Sequence, residues 1–418
     1  MGKQKESTNN FGVMISNKAW KDISKNKPSY RLRQLAIVNS SVNFNMYFFN
    51  IKQVDEKTKL ITGYYYNPSD DTWKTGIFPY PDILYRRGGA TLRDKERFYA
   101  FIRSCTKKGT VFLNPTPLGN WQIYNYFNNV KSLQKYLLET ILYKKPKDLI
   151  NMLNKHKTVY LKGVTGRKGK NVMRISMISD TNFIIKNYSH RKDEVRINRY
   201  NNTDDIVSFI KNFYKEKDFI VQEAIKLLEL DNRIIDLRAE LQRNKRGEID
   251  ISGVSARVSQ KNSPITVNSV AYPIDEFFKN INLSFIERIK IKRNIKNFLH
   301  LVYKETEKEY GKFSEIGIDF GLTKDFEIKF IECNSQSAKV SLLKAYGEKR
   351  FNHALLNILE SAKYEIENKK QSELQEQTKD VQEKQRVIEL VKMKSTEYWN
   401  GLTKWFTNKW KKLKEGVK

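Results

Sequence analysis

Cysteine, histidine and long apolar runs are scarce in this sequence of 418 residues, and each scarcity excludes a class of protein. Cys105 and Cys333 are too few for a disulfide framework and too far apart for a CxxC motif, which predicts a reducing compartment. The four histidines are scattered without a spacing that would hold zinc. No apolar run approaches the roughly 18 residues of a transmembrane helix. The polar start of the chain lacks the apolar region of a signal peptide. We therefore predict a soluble, cytoplasmic protein.

Basic residues, in contrast, are in large excess. Lys and Arg number 77 against 47 for Asp and Glu, which gives a formal net charge of +30. Such a surface attracts an anionic partner, whether nucleotide, nucleic acid, acidic polymer or anionic lipid. Nonspecific nucleic-acid binding stays open as one function. No helix-turn-helix, RNP-like or zinc signature is present in the sequence, so no specific nucleic acid is expected.

Changes of pattern along the chain predict four segments. Residues 1–125 combine short β-like runs with turns and predict a smaller α/β domain. Residues 126–217 open with a helical pair broken near Pro146 and continue with strands around a Gly-rich loop, and residues 218–367 hold strands and a helix with a capping box at Ser284 and Glu287. Residues 368–418 are a linker or solvated helix followed by a cationic amphipathic tail. Most consecutive strands lack an intervening helix, which predicts an antiparallel-rich α+β fold.

A basic, Gly-rich segment at residues 163–170 follows the predicted strand that ends at Lys162. Glycines allow close backbone approach and cations neutralise charge, so the segment is typical of a flap over a polyphosphate. It lacks the residue order of a P-loop. An ordinary exposed turn of a basic protein explains the same residues.

Polar side chains on the later predicted strands form a second candidate set. Glu332 and Asn334 are two residues apart and share one face of a strand, with Asp319 on the preceding strand. Together they would hold one or two hard cations, such as the Mg²⁺ that accompanies ATP. Arg238 and Arg257 fall on the two arms of a predicted hairpin, where they could grip a phosphoryl group. Separately hydrogen-bonded carboxylates and ordinary surface arginines are the alternatives.

The order of these elements resembles the ATP-grasp superfamily, and more closely the YheC/YheD-type family associated with bacterial spore coats. The resemblance runs from about residue 10 to 365 and rests on the segments VYLKGVTGRKGKN, FIVQEAI, DLRAELQRNKRGE, SARVS, GIDFG and FIECNSQS. It implies an ATP-grasp fold in which two α+β subdomains sandwich ATP, after the smaller N-terminal domain.

The resemblance also implies a role for each candidate residue. ATP would be bound at its phosphates and at its adenine by Lys162, Gly166, Arg167, Lys168, Gly169, Gln222, Glu223, Ala224 and Ile225. Magnesium would be ligated by Asp319, Glu332 and Asn334. Arg238 and Arg257 would steady the phosphoryl group or an acyl phosphate.

The function implied is an ATP- and Mg²⁺-dependent carboxylate–amine ligase acting through an acyl phosphate on a peptide or acidic polymer of the spore envelope. Loss of Asp319 or Glu332 is then expected to abolish turnover and to leave the fold largely intact. The chain departs from the family pattern near Asn120, where members tend to carry lysine, and at Gly163 and Ser337, where they tend to carry proline. The Asn120 departure and the long cationic tail favour an alternative, a catalytically degenerate scaffold protein of the coat.

The last segment, residues 395–418, forms a separate expectation. A helix there would place large apolar residues on one face among many lysines: Trp399, Leu402, Phe406, Trp410 and Leu413. An anionic membrane, a partner protein and the protein's own core are the three surfaces that such a face would contact. Membrane contact would place the protein at a membrane surface, and the family resemblance separately implies association with the spore coat.

Overall fold

A computed structural model describes residues 8–88, 91–114, 117–164, 171–215, 217–230, 232–266 and 269–415, with the backbone alone at residues 92 and 230 and at most positions beyond 387. The chain divides into two compact units, Met1–Lys363 and Tyr364–Lys418. The three sheets all lie in the first unit.

The first sheet is mixed and contains β1 (Asn10–Met14), β2 (Asn45–Phe49), β3 (Val54–Asp55), β4 (Leu60–Asn67), β5 (Thr72–Pro79), β6 (Ile83–Arg86) and β7 (Val111–Leu113). Strand β1 pairs in parallel with β2 and β6, and β6 with β7, whereas β4 pairs antiparallel with β2, β3 and β5. Its order is β3-β4-β2-β1-β6-β7, with β5 paired to β4. The helices of this region are α1 (Asn17–Ser24), α2 (Tyr30–Val38) and α3 (Lys95–Lys108). Phe49, Leu84 and Phe101 are fully buried between sheet and helix, as expected for an α/β domain.

The second sheet is antiparallel and contains β8 (Thr140–Leu142), β9 (Thr158–Gly163), β10 (Val172–Met177), β11 (Phe183–Ser189), β12 (Glu194–Tyr200) and β13 (Phe219–Glu223). Two short helices precede it, α4 (Asn120–Asn128) and α5 (Lys131–Gln134), while α6 (Pro146–His156) and α7 (Thr203–Tyr214) cover one face. Val159 and Leu161 of β9 are buried under these helices. Because side chains alternate along a strand, Tyr160 and Lys162 face away from that core.

The third sheet is also antiparallel, in the order β17-β16-β15-β18-β19 with β14 paired to β15. Its strands are β14 (Glu229–Leu230), β15 (Arg233–Arg243), β16 (Ile249–Val258), β17 (Val270–Pro273), β18 (Glu315–Leu322) and β19 (Ile328–Asn334), and its helices are α8 (Ile274–Asn280) and α9 (Phe285–Tyr310). Leu237, Ala239 and Leu241 of β15 pack into the core with α9. The alternate side chains of β15, which are charged or polar, therefore lie on the opposite face.

Two local predictions have different outcomes. The capping box at Ser284 and Glu287 is present at the start of α9. The prediction of a helical pair broken near Pro146 is wrong in part, because Thr140–Leu142 form strand β8, which pairs with β13. Pro146 is the first residue of α6, where its missing N–H costs nothing. Pairing with a distant strand overrides the local helical spacing.

The last helix, α10 (Val340–Glu415), is interrupted at Gly347, whose φ of 75° lies in the left-handed region. In the second unit, residues 371–387 are helical and exposed. The side chains of Trp399, Leu402, Phe406, Trp410 and Leu413 lie outside the described part of the chain.

Candidate active site

Arg238 and Arg257 converge on a single carboxylate, that of Asp319. The strand register places Asp236 opposite Arg257 and Arg238 opposite Asp319. Arg238 donates from Nε and Nη2 to the two oxygens of Asp319, the second bond being 2.7 Å long. Arg257 donates from Nε and Nη2 to Asp236 at 2.6 Å each, and its Nη2 lies 3.2 Å from Asp319 Oδ2. The predicted hairpin thus presents both arginines to one site.

These arginines decide the ionisation of Asp319. Burial alone would raise the pKa of this carboxyl, but the charges of Arg238 and Arg257 outweigh burial and lower the pKa to about 2. For the arginines, burial works towards a lower pKa, and the acidic partners reverse it so that the pKa of each is raised. All three groups are therefore charged at neutral pH.

Glu332 and Asn334 share one face of β19, next to Asp319. Glu332 is the register partner of Asp319, and Asn334 Nδ2 donates to Glu332 Oε1 at 2.9 Å. Burial, followed by the negative charge of Asp319, raises the pKa of Glu332. The Glu332 side chain is 31% exposed to solvent, whereas the Asp319 side chain is 6% exposed. Of the two carboxylates, Glu332 is the more accessible to a ligand.

The oxygen donors of this cluster fit Mg²⁺, which prefers carboxylate and carbonyl oxygens. The pKa of Glu332 is raised because burial and the charge of Asp319 destabilise its ionised form. A bound cation would stabilise that form. Asp319 is already neutralised by two arginines and would have to share its oxygens. Within the part of the chain that is described, no group of three or more His, Cys, Asp and Glu side chains is arranged to hold a metal. A metal here would depend on two carboxylates and the Asn334 amide.

Lys162 approaches the same carboxylates from the second sheet. Its Nζ donates to Gln222 Oε1 at 2.8 Å. Burial lowers the pKa of Lys162, although the charges of Glu332, Asp319 and Asp236 oppose this shift. The lysine is thus electrostatically coupled to acidic residues of the other sheet. No acidic side chain within the described residues forms an ion pair with it.

Tyr160, two residues before Lys162 on the same face of β9, ties the second sheet to the third. Its hydroxyl donates to the carbonyl oxygen of Pro264 at 3.0 Å, in the connection that follows β16. Burial raises the pKa of Tyr160 to about 12, so the hydroxyl keeps its proton at neutral pH. This bond fixes the spacing between the face that carries Lys162 and the arginine hairpin.

The four flap residues predicted to contact phosphates, Gly166, Arg167, Lys168 and Gly169, lie outside the described residues. On either side of them, the Gly163 N–H donates to Asn171 O at 3.3 Å. The segment therefore connects two paired antiparallel strands, β9 and β10.

The predicted adenine hinge, Gln222 to Ile225, lies at the end of β13. The Glu223 carboxylate accepts from the Glu139 N–H at 3.0 Å and lies 3.2 Å from His156 Nδ1. The Glu223 and Ala224 N–H groups donate to Glu139 O and Thr158 O. Among the described residues, no acceptor is bonded to the N–H of Ile225.

A buried ionic cluster beside the arginine hairpin was not anticipated from the sequence. Glu315 of β18 is fully buried and accepts from Tyr85 Oη at 2.7 Å and from Arg87 Nη1 at 2.5 Å, while Lys339 also pairs with it. Glu240, the next outward side chain of β15 after Arg238, lies 3.9 Å from Lys339 Nζ. The alternation of Asp236, Arg238 and Glu240 in an otherwise apolar strand is the signal that would have located it.

Ser337 joins the two clusters. Its hydroxyl donates to Glu240 Oε1 at 2.5 Å and accepts from Arg238 Nη1 at 3.3 Å. Its carbonyl oxygen accepts from Arg87 Nη2 at 2.8 Å. A Cβ at Gly317 would lie 2.9 Å from the Ser337 Cβ and 3.0 Å from Arg238 Nη1, so only glycine leaves room for this contact.

A sequence profile of YheC/D like ATP-grasp proteins matches residues 109–364, more than half of the chain. The chain therefore belongs to this family of ATP-grasp proteins, and it has the α+β fold predicted for that class. Among curated proteins, the endospore coat-associated protein YheD of Bacillus subtilis (strain 168) is 21% identical over 306 residues, covering 70% of this chain and 64% of its own length. YheC of the same organism is 20% identical over 292 residues, covering 68% and 78%. The chain thus spans less than two thirds of YheD.

Among solved structures, D-alanyl-alanine synthetase A from Vibrio cholerae O1 biovar eltor is similar, with a TM-score of 0.49 and 12% identity over 85% of this chain and 98% of that chain.

No helix of the described chain has the length and apolar character needed to cross a membrane.

Proposed function

We propose that this chain is an ATP- and Mg²⁺-dependent carboxylate–amine ligase. The observation that carries the proposal is the meeting of Lys162, from the second sheet, with the Arg238, Asp319 and Glu332 cluster of the third. These side chains offer cations for phosphate and oxygens for a metal within one site. Membership of an ATP-grasp family supports the same interpretation.

In the proposed binding mode, the triphosphate lies between the two sheets. Lys162 contacts phosphate oxygens, aided by the flap at residues 163–170. The adenine lies against residues 222–225, where the Ile225 N–H supplies the donor because its neighbours are committed to the sheet. Glu332, Asn334 and Asp319 hold Mg²⁺, which when bound neutralises phosphate charge and orients the phosphates.

The proposed reaction has two steps. A carboxylate oxygen of the substrate bonds to the γ-phosphorus of ATP while the bond from that phosphorus to the ADP oxygen breaks. The amine nitrogen then bonds to the acyl carbon, the carbon–oxygen bond to phosphate breaks, and the nitrogen loses a proton. Arg238 and Arg257 stabilise the charge of the transferring group. They also keep Asp319 ionised over the whole neutral range, in the form that can share an oxygen with a metal.

The acidic peptide or polymer proposed as substrate belongs to the spore envelope. The names of YheD and YheC, endospore coat-associated proteins, support that setting. So does the net charge of +30, because a basic surface concentrates acidic polymers. We propose a cytoplasmic protein that associates with the coat.

A second candidate function, a nucleotide-free scaffold of the coat, is favoured by one contact. Asn120 stands where family members tend to carry lysine. Its Nδ2 donates to Gly163 O at 3.1 Å, and its N–H donates to Val164 O at 3.1 Å. A neutral side chain thus occupies the base of the flap, where a cation would contact phosphate.

Replacing Lys162 with methionine separates these two functions. We expect the dissociation constant for a fluorescent ATP analogue to rise roughly 10- to 100-fold, because a hydrogen bond to a charged group contributes about 1.5–3 kcal/mol. Since burial lowers the pKa of Lys162, wild-type affinity should decline with rising pH before an ordinary lysine would lose its proton. The matched control is Lys292→Met, since Lys292 pairs with Asp275 on an exposed surface away from these residues.

Equal affinities for the Lys162 and Lys292 variants would contradict the placement of Lys162 at the phosphates. Absence of ATP binding in the wild-type protein, at every pH tested, would favour the scaffold function.

For the tail, residues 395–418, we propose binding to an anionic membrane surface, because its large apolar residues alternate with lysines. The full chain is expected to sediment with vesicles that contain anionic lipid, and a variant that ends at Glu389 is expected to stay in solution. Neutral vesicles serve as the control, because only the anionic ones attract the lysines. Equal sedimentation of the full and shortened chains would exclude the membrane role.

A further inference from the structure

Arg31, on α2 of the first sheet region, is a half-buried cation without a partner. Within the described chain it forms no hydrogen bond and no ion pair, and its Nε is shielded from solvent without an acceptor. Burial and then the positive charge of Arg87 lower the pKa of Arg31 to about 10. Arg33, two residues away, differs from Arg31 in having an acidic partner: it forms an ion pair with Asp71 on the surface at 2.6 Å.

The carboxylates whose charges act on Arg31 are Glu315 and Glu240, and neither forms a hydrogen bond or an ion pair with it within the described chain. Glu315 accepts hydrogen bonds from Tyr85 and Arg87 and forms an ion pair with Lys339, as described above. Glu240 Oε1 accepts from the Ser337 hydroxyl at 2.5 Å, while its Oε2 is buried without a hydrogen-bond donor. Burial raises the pKa of Glu240, which weakens it further as a counter-ion.

The cations of this cluster therefore outnumber its anions. Arg31, Arg87 and Lys339 carry three positive charges, whereas Glu240 and Glu315 carry at most two negative ones. The Nε of Arg87 is also buried without an acceptor. Uncompensated charge that is partly removed from water is costly, so the cluster is set up for an added anion.

We propose that Arg31, beside Arg87, binds an anionic group of the substrate, a carboxylate or a phosphate. The guanidinium fork matches the geometry of both groups and can contact either with two parallel hydrogen bonds. The assignment rests on the proposed ligase function only in calling the ligand a substrate. Anion binding itself does not require ATP.

The site adjoins the proposed reaction centre. Arg87 Nη2 donates to the carbonyl of Ser337, whose hydroxyl accepts from Arg238, which in turn holds Asp319. Arg87 and Ser337 are themselves buried, so this link runs through the protein interior, and an anion bound at Arg31 would act on the reaction centre through these contacts.

Thermal unfolding without ATP or magnesium tests the site. Glutarate, inorganic phosphate and chloride are compared at matched ionic strength, the first two as probes of carboxylate and phosphate. We expect glutarate or phosphate to raise the Tm of the wild-type protein by about 2–4 °C over chloride. Arg31→Met should lose at least half of this shift. Arg33→Met, the matched control, should retain it. Lys162→Met should retain the glutarate shift, whereas any phosphate shift that it loses reports binding at the proposed ATP site.

Arg31→Lys provides a second variant that keeps the charge but not the fork, and it should retain only part of the shift. The larger of the glutarate and phosphate shifts identifies the group that is bound. Three results would overturn the site: no shift over chloride in the wild type, a full shift in Arg31→Met, or an equal loss in Arg33→Met. Because nucleotide is absent, these outcomes are independent of whether the protein turns over ATP.

Discussion

Glu332→Gln is expected to lower the rate of magnesium-dependent ATP turnover roughly 100-fold or more. Removal of one strong transition-state contact, or of a group that supports a bound metal, lowers rates by a similar factor. The substitution keeps the size of the side chain and removes the negative charge that a metal needs. Glu332 is the exposed member of the carboxylate pair, at 31%, so the free energy of unfolding should change by less than about 1 kcal/mol. Release of ADP in the presence of candidate carboxylates and amines gives the rate.

Glu327→Gln is the matched control, because Glu327 lies just before β19, pairs only loosely with Lys329 at 3.4 Å and is 65% exposed. It should turn over ATP at the wild-type rate. If Glu332→Gln did the same while wild-type turnover required magnesium, the metal assignment would be wrong.

Asp319 is a poorer test of the metal, and here the structure changes an expectation drawn from the sequence. Both its oxygens bond to Arg238, and Arg257 lies 3.2 Å away. Removing Asp319 leaves two buried guanidinium groups short of their counter-ion, so stability should fall together with activity. The fold would not be left largely intact.

Glu315→Gln is expected to lower the free energy of unfolding by about 3–5 kcal/mol, the cost of breaking a buried ion pair from one side. The side chains of Glu315, Arg87 and Lys339 are 0%, 3% and 1% exposed. Loss of the carboxylate charge leaves Arg87 without its acidic partner and Lys339 with the more distant Glu240, at 3.9 Å, between the first and third sheets. Urea denaturation monitored by tryptophan fluorescence measures the change.

Asp275→Asn is the control for this effect, because the ion pair of Asp275 with Lys292 is about half exposed on both sides. Its loss should cost less than about 1 kcal/mol. A similar small loss for Glu315→Gln would contradict the interpretation that this cluster holds the first and third sheets together.

The pH dependence of stability should follow the same group. Burial favours a raised pKa for Glu315, but Lys339 and Arg87 outweigh it, so its folded-state pKa lies below the ordinary value of 4.5. Its stabilisation is therefore complete above that value and is lost as the pH falls through the lowered folded-state pKa. Glu315→Gln should remove this part of the acid sensitivity.

Local pattern was sufficient to predict several parts of the site. Alternating residues around the turn at 244–247 predicted the hairpin of β15 and β16, because both arms and the turn are contiguous in sequence. The spacing of Glu332 and Asn334 predicted their shared face, which their hydrogen bond confirms. The pairing of Asp319 with Glu332 followed from two strands that are consecutive in the chain.

Contacts between distant segments could not be predicted in this way. Arg87 and Glu315 are 228 residues apart, and their ion pair depends on how the first sheet packs on the third. Thr140–Leu142 share the helical spacing of their neighbours in sequence. They form a strand because they pair with β13, which lies about 80 residues further on. Arg238 and Arg257 were predicted as site residues, but no local pattern indicates that they bond to the oxygens of Asp319, a proposed metal ligand.

A crystal structure with magnesium and a nonhydrolysable ATP analogue tests the central claim most directly. We predict the analogue between the second and third sheets, with adenine at residues 222–225, phosphates at Lys162, and Mg²⁺ on Glu332 and Asn334 with Asp319 sharing an oxygen. A nucleotide bound elsewhere, or a site that holds none at saturating concentration, would contradict the account.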